Sequence, residues 1–200
     1  MRLEYNAPVI LTFTLISTAV LIIHQFVADI MPIFTIYPVV ELANPLWYVR
    51  LFSHVIGHGS WAHLVGNFTF ILLIGPILEE KYGSRDLLFM IAVTALVTGI
   101  LHLIISGLGF AGEPTGLLGA SGIVFMLILL SSVTNSKGGI PLTFVLIVVL
   151  FLGKEVIGSF ADDNISQLAH IIGGILGGIF GFLLKGRKVK NTAQKPVTGL

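Results

Sequence analysis

The sequence predicts an all-α membrane protein, a bundle of six transmembrane helices with both termini in the cytoplasm, and three observations predict it. Of 200 residues 55% are apolar and only 10% charged, whereas a soluble domain carries about 25% charged residues to coat its surface. The few charges leave six long charge-free runs. Lys and Arg then crowd one side of the resulting topology, with Arg2, Lys81, Arg85, Lys137, Lys185, Arg187, Lys188, Lys190 and Lys195 against Arg50 and Lys154. Basic residues in short loops are retained in the cytoplasm. A net charge of +1 argues against a nucleic-acid partner, whose phosphates need a basic face. With no cysteine in the chain, disulfides, thiolate metal sites and cysteine nucleophiles are excluded.

The runs are Tyr5 to Ala28, Leu51 to Leu78, Leu87 to Gly112, Pro114 to Ser136, Gly138 to Gly153 and Asn164 to Leu184. A helix needs about 20 apolar residues to cross a hydrocarbon core of about 30 Å. Five runs meet that length, and Val156 and Ile157 complete the fifth in order. Helices are therefore expected over about 5–30, 61–79, 86–107, 117–135, 140–158 and 166–184, together a domain of residues 1–186. The first run is too long for a secretory signal and lacks a cleavage pattern, so it is expected to stay attached as helix 1. Met31 to Ser60 holds Pro32, Pro38 and Pro45 with Trp47 and Tyr48; aromatic residues of this kind sit at headgroup level, which places the segment in the outer interface. Lys185 to Lys190 reads as the anchor that stops helix 6, and 187–200 as a disordered polar, basic tail.

Helices 2, 4 and 6 enter from the outer side, and each carries polar residues near its outer end. His63 and Asn67, four apart, share one face of helix 2. Ser121 opens helix 4, and His170 lies about two turns into the sixth run. Polar groups at membrane depth are costly and usually serve a function. A serine hydroxyl becomes a nucleophile when a histidine takes its proton, and the imidazolium then protonates the leaving amine. Ser121 and His170 fit those roles. Asn67, the His63 ring and the Ser121 N–H are expected to hold the developing oxyanion, at about 3 kcal/mol for each preorganised donor. No carboxylate lies at that depth in these helices, so a dyad is predicted. Gly173, Gly177 and Gly181 make a smooth stripe for close helix packing. With Gly119 and Gly122 around Ser121, it is expected to bring helices 4 and 6 together.

Other chemistries fit less well. His54 and His58 with His63 suggest a metal site, but no His-Glu-x-x-His and no third ligand accompany them. Hydrogen-bonded loop histidines are expected, with no metal and no cofactor. His24 and His102 are expected at the interface. Asp29, Asp86, Asp162 and Asp163 all fall at span ends, which excludes an aspartyl mechanism. Ile123 stands where a Gly-x-Ser-x-Gly elbow needs glycine.

From about Trp47 to Leu184 the residues resemble the rhomboid intramembrane serine proteases. The likeness rests on His63-Leu-Val-Gly-Asn67, on Gly119-Ala120-Ser121-Gly122, and on Ala169-His170-Ile-Ile-Gly173-Gly-Ile-Leu-Gly177. It implies Ser121 as nucleophile, His170 as base, and His63 and Asn67 lining an oxyanion hole in a water-filled cavity that opens outward. The implied substrate is another membrane protein's transmembrane segment, cut near the outer face at a small residue. Two departures stand out. Where the family has Trp-Arg, this chain has Val49-Arg50 with Trp47 upstream. Where it often has a tyrosine stacked on the catalytic histidine, this chain has Phe125, which keeps the stacking and loses the hydroxyl. Glu79 with Gly83-Ser84 resembles the family's Glu-x-x-x-Gly-Ser, with a structural role in fastening the cytoplasmic turn.

The resemblance and the short fifth span together suggest that helix 5 and the loop Gly158 to Gln167 form a gate and cap. The partners expected are transmembrane substrates and membrane lipids, and the compact form suggests a multi-pass protein of a prokaryotic plasma membrane. Nothing in the sequence sets the oligomeric state. Two alternatives are an inactive relative serving as a scaffold or quality-control binder, which would typically lack the serine or histidine, and a channel or transporter. The latter would need paired repeats or a charged pathway.

Overall fold

A computed structural model describes residues 3–108, 116–134, 139–153 and 164–184. They form α1 (Pro8–Phe26), a 3-10 turn (Met31–Phe34), α2 (Pro45–Ser53), α3 (Trp61–Tyr82), α4 (Ser84–Gly107), α5 (Ser121–Val133), α6 (Leu142–Ile147, continued by a π turn Val148–Leu152) and α7 (Asn164–Leu183). Among the described residues the one β pairing is an isolated antiparallel bridge between Ile36 and Leu117. The expected tail, 187–200, lies outside them.

α1, α3 and α4, with 19, 22 and 24 residues, are long and apolar enough to cross a membrane, and α5, α6 and α7 are shorter apolar helices. The chain is an integral membrane protein by that composition and by its outward faces. Leu15, Ile22, Phe26, Leu73, Ile77, Leu88 and Phe89 all point out of the bundle, a surface suited to lipid and not to water. α5 is the inner helix. Of residues 121–130 all are buried except Ser121 and Phe125, which lie four apart and so share the one face that opens.

α5 and α7 run side by side in the same direction. A Cβ on Gly173 would fall on the Gly122 carbonyl oxygen, one on Gly177 on that of Met126, and one on Gly181 would meet Val133 at 2.9 Å. Gly173 and Gly177 thus meet successive turns of α5 with backbone against backbone, the approach that only small residues permit, and Gly181 packs on the Val133 side chain. The Lys81 ammonium donates to the Thr134 carbonyl and the Tyr82 hydroxyl sits 3.0 Å from that of Thr134, so α3 and α5 also end together. The starts of α3, α5 and α7 gather at the opposite end.

At the closing end, Gly83 links α3 to α4 with φ 85°, a left-handed turn suited to glycine. Buried Glu79 of α3 accepts hydrogen bonds from Val9 N–H (2.9 Å), Ile10 N–H (3.0 Å) and the Ser84 hydroxyl (2.6 Å). α1 has no side-chain cap of its own at Ala7, so a distant carboxylate satisfies its free amides and the positive end of its dipole. Glu79→Ala is expected to cost about 2–4 kcal/mol, since three donors lose their shared acceptor. Thermal unfolding in detergent checks it; an unchanged midpoint would show the cap to be dispensable.

Candidate active site

The loop before α5 is shaped by its contacts. Gly119 has φ 116°, and a Cβ there would lie 2.6 Å from Cε1 and Nε2 of His63 and 3.7 Å from Nδ2 of Asn67. Both strain and space therefore require glycine. Gly119 N–H donates to the His54 carbonyl at 2.9 Å, and α5 begins two residues later. Ala120 supplies no side-chain cap, so the first amides of α5, that of Ser121 included, are not held by such a cap and carry the positive end of the helix dipole. His63 and Asn67, one turn apart on α3, thus face the residue two before Ser121.

His170 comes from α7, where the Ala169 carbonyl oxygen would be 3.2 Å from a Cβ on Gly122. Its ring stacks on Phe125 with centroids 4.4 Å apart and planes 6° from parallel. Because Phe125 is four residues beyond Ser121, the imidazole lies over the open face of α5 that carries the hydroxyl. His63 stands within Coulombic reach of His170. Phe151 in the π turn after α6 meets Phe125 edge-on at 6.0 Å, so α6 covers the site from the side. Residues 158–163 of the expected cap lie outside the described residues. Ser121, His170, Phe125, His63 and Asn67 therefore gather at the shared start of α3, α5 and α7, among Gly119, Gly122 and Gly173.

Sequence reasoning gave His58 too small a part. It is fully buried. Its Nδ1 lies 3.0 Å from the Ile56 carbonyl oxygen, and Nε2 lies 3.0 Å from Asn67 Nδ2 and 3.4 Å from Ala120 N. A carbonyl only accepts, so the proton belongs on Nδ1, and Nε2 accepts from both the Asn67 amide and the Ala120 N–H. One loop histidine thereby ties α3 to the turn that presents Ser121. The signal available was Gly57 beside it: a Cβ there would meet Phe34 Cβ at 2.7 Å and its carbonyl oxygen at 2.8 Å, the mark of a loop pressed onto another segment. His54 is likewise buried, with Nδ1 3.1 Å from the Arg50 carbonyl oxygen. The expectation of an interfacial His102 is corrected: α4 turns it inward, 2% exposed. Among the described residues no three metal-ligating side chains cluster.

Burial lowers the pKa of His58 to about 4, reinforced by nearby His63 and opposed by the Ile56 carbonyl. His54 is lowered to about 4, again chiefly by burial. Between the unfolded value of 6.5 and about 4 the unfolded chain holds protons that the folded chain does not, so stability must fall as pH falls through that window. The melting midpoint is expected to drop steadily from pH 7 to pH 5, and His58→Gln, which cannot titrate, to flatten the slope. A midpoint independent of pH over that range would contradict both burials.

The family model described as Rhomboid domain matches residues 45–187. The chain is 26% identical to the rhomboid protease GlpG of Haemophilus influenzae over 143 residues, 72% of each chain. It is 30% identical to rhomboid-related protein 1 of Caenorhabditis elegans, over 78% of this chain and 44% of that one. Against the rhomboid protease GluP of Bacillus subtilis it is 27% identical, over 70% of this chain and 26% of the other. The chain spans less than half the length of the last two.

Proposed function

The chain belongs to the rhomboid family, and on that premise we propose that it is an intramembrane serine endopeptidase working through a Ser121–His170 dyad. The observation that carries this reading is the parallel stacking of His170 on Phe125, over the face of α5 that opens at Ser121. In the proposed reaction His170 takes the hydroxyl proton as Oγ of Ser121 attacks the scissile carbonyl. The oxyanion is held by the Asn67 amide, the His63 ring and the Ser121 N–H at the positive end of α5. The imidazolium then protonates the leaving amine, and water, activated by the same histidine, hydrolyses the acyl-enzyme. Its plain ring lets Phe125 orient the imidazole without joining the proton transfer.

The substrate in this proposal is the transmembrane segment of another membrane protein, cut near the outer face. Names of relatives that are proteases support that class, and the outward apolar faces of the bundle support lateral arrival through lipid. Six spans with both termini in the cytoplasm, in a prokaryotic plasma membrane, complete the proposal. α6 is the proposed gate. It has six α-helical residues before its π turn, and such turns recur at functional sites where the helical ladder is interrupted.

A fluorophosphonate probe tests the dyad directly, because it reacts only with an activated serine. Labelling is expected in the parent and absent in Ser121→Ala and His170→Ala. A parent that is folded yet unlabelled would instead favour the scaffold reading.

A further inference from the structure

The cavity at the aromatic lobe between α1 and α3 takes no part in the proposed chemistry. It encloses about 420 Å³ between the segment after the 3-10 turn and α2, with Tyr37, Glu41, Asn44, Trp47 and Arg50 in its walls. Those walls are fixed: Trp47 Nε1–H donates to the Val39 carbonyl at 3.2 Å, and the Arg50 Nε–H to that of Pro32 at 2.8 Å. The Arg50 guanidinium also lies over the Tyr37 ring, 5.1 Å from its centroid. Asn44 Nδ2–H donates to Oε2 of Glu41 at 3.0 Å.

The two charges form a loose ion pair with no direct hydrogen bond between them. Arg50 Nη1 and Glu41 Oε2 are 3.8 Å apart, beyond hydrogen-bond length. Among the described residues, the Nη groups of Arg50 and Oε1 of Glu41 therefore keep their hydrogen-bonding capacity. The Arg50 side chain is only 13% exposed while that of Glu41 is 47% exposed, so the cation is the deeper and the anion the outer group. Around them Val39, Val40, Leu42 and Tyr48 point outward, an apolar surface that belongs at the boundary of lipid and water.

A site with one cation beside one anion, at headgroup depth, suits neither a simple anion nor a simple cation. We propose that this cavity binds the headgroup of a phosphoethanolamine lipid, with the phosphate on Arg50 and the ammonium on Glu41. A primary ammonium brings N–H donors that Oε1 of Glu41 accepts, and a quaternary one brings none. An anionic headgroup without an ammonium leaves Glu41 facing a like charge. The inference rests on membrane embedding alone and is independent of the Ser121 chemistry, so it stands or falls without any cleavage assay.

Native mass spectrometry of the intact chain released from detergent, titrated with phosphatidylethanolamine, phosphatidylcholine and phosphatidylglycerol of matched acyl chains, reads the preference. The parent is expected to hold phosphatidylethanolamine at several-fold lower concentration than the other two. Glu41→Gln should erase the margin over phosphatidylcholine, and Glu41→Lys should turn the preference to phosphatidylglycerol. Equal retention of the three lipids by the parent overturns the proposal without recourse to any variant, as does an ethanolamine preference that survives both substitutions.

Discussion

Ser121→Ala and His170→Ala are each expected to lower turnover of a transmembrane substrate by on the order of 10⁴-fold or more, with KM nearly unchanged. In the proposed dyad nucleophile and base act as one unit, so losing either should remove almost everything the pair supplies, and the double variant should be no slower than the worse single one. KM is expected to hold because the proposed substrate helix would contact far more of the bundle than one hydroxyl. What activity is left comes from the oxyanion donors and from positioning. Initial rates in proteoliposomes, with both variants shown folded by their melting midpoints, decide it. A Ser121→Ala protein that keeps a tenth of the parent's rate would end the proposal that this hydroxyl is the nucleophile.

The sequence carried the helices because charge is expensive in hydrocarbon, and the charge-free runs mark where the chain can stay in lipid. The charged ends were harder to read. α3 runs on through Glu79, Glu80 and Lys81, and α4 starts just before Arg85 and Asp86. At such depths one charge can extend toward the headgroups, while another, Glu79, turns inward to cap α1. Linear spacing does not distinguish these fates. The site divides in the same way. His63 with Asn67, and Ser121 with Phe125, are four apart on helices, where spacing gives a shared face. His58 and His54 sit on an irregular stretch with no period to follow. Their partners, Asn67 with Ala120 and the carbonyl of Arg50, are set by how the loop packs. His102 hides for a related reason: its nearness to a span end suggested water, whereas helix rotation turned it toward His54.

Gly173→Ala is expected to be the most damaging single-methyl change in the bundle, and a glycine five residues later should tolerate the same change. At Gly173 the added Cβ falls on the Gly122 carbonyl oxygen, with the carbonyl carbon at 2.8 Å and Cα at 3.1 Å. All three are backbone atoms inside α5, with no rotamer to yield, so α7 itself must move away. Overpacking of this kind costs about 1–3 kcal/mol. The displacement also reaches the chemistry, because Gly122 adjoins Ser121 and Gly173 lies one turn past His170; a misplacement of about 1 Å in such a pair costs on the order of 10²-fold in rate. Gly177→Ala meets the Met126 backbone in the same manner, one turn further from the hydroxyl, so it should lose comparable stability and less turnover. At Gly178 the new methyl would approach only ring atoms of Phe144, at 3.4 Å, and that side chain can shift; this variant should stay within about 0.5 kcal/mol of the parent. Melting midpoints and kcat measured on the three variants together separate close helix contact from a general intolerance of alanine. Parent-like stability and rate in Gly173→Ala would mean that α5 and α7 do not touch backbone to backbone, and the Ser121–His170 geometry would lose its support.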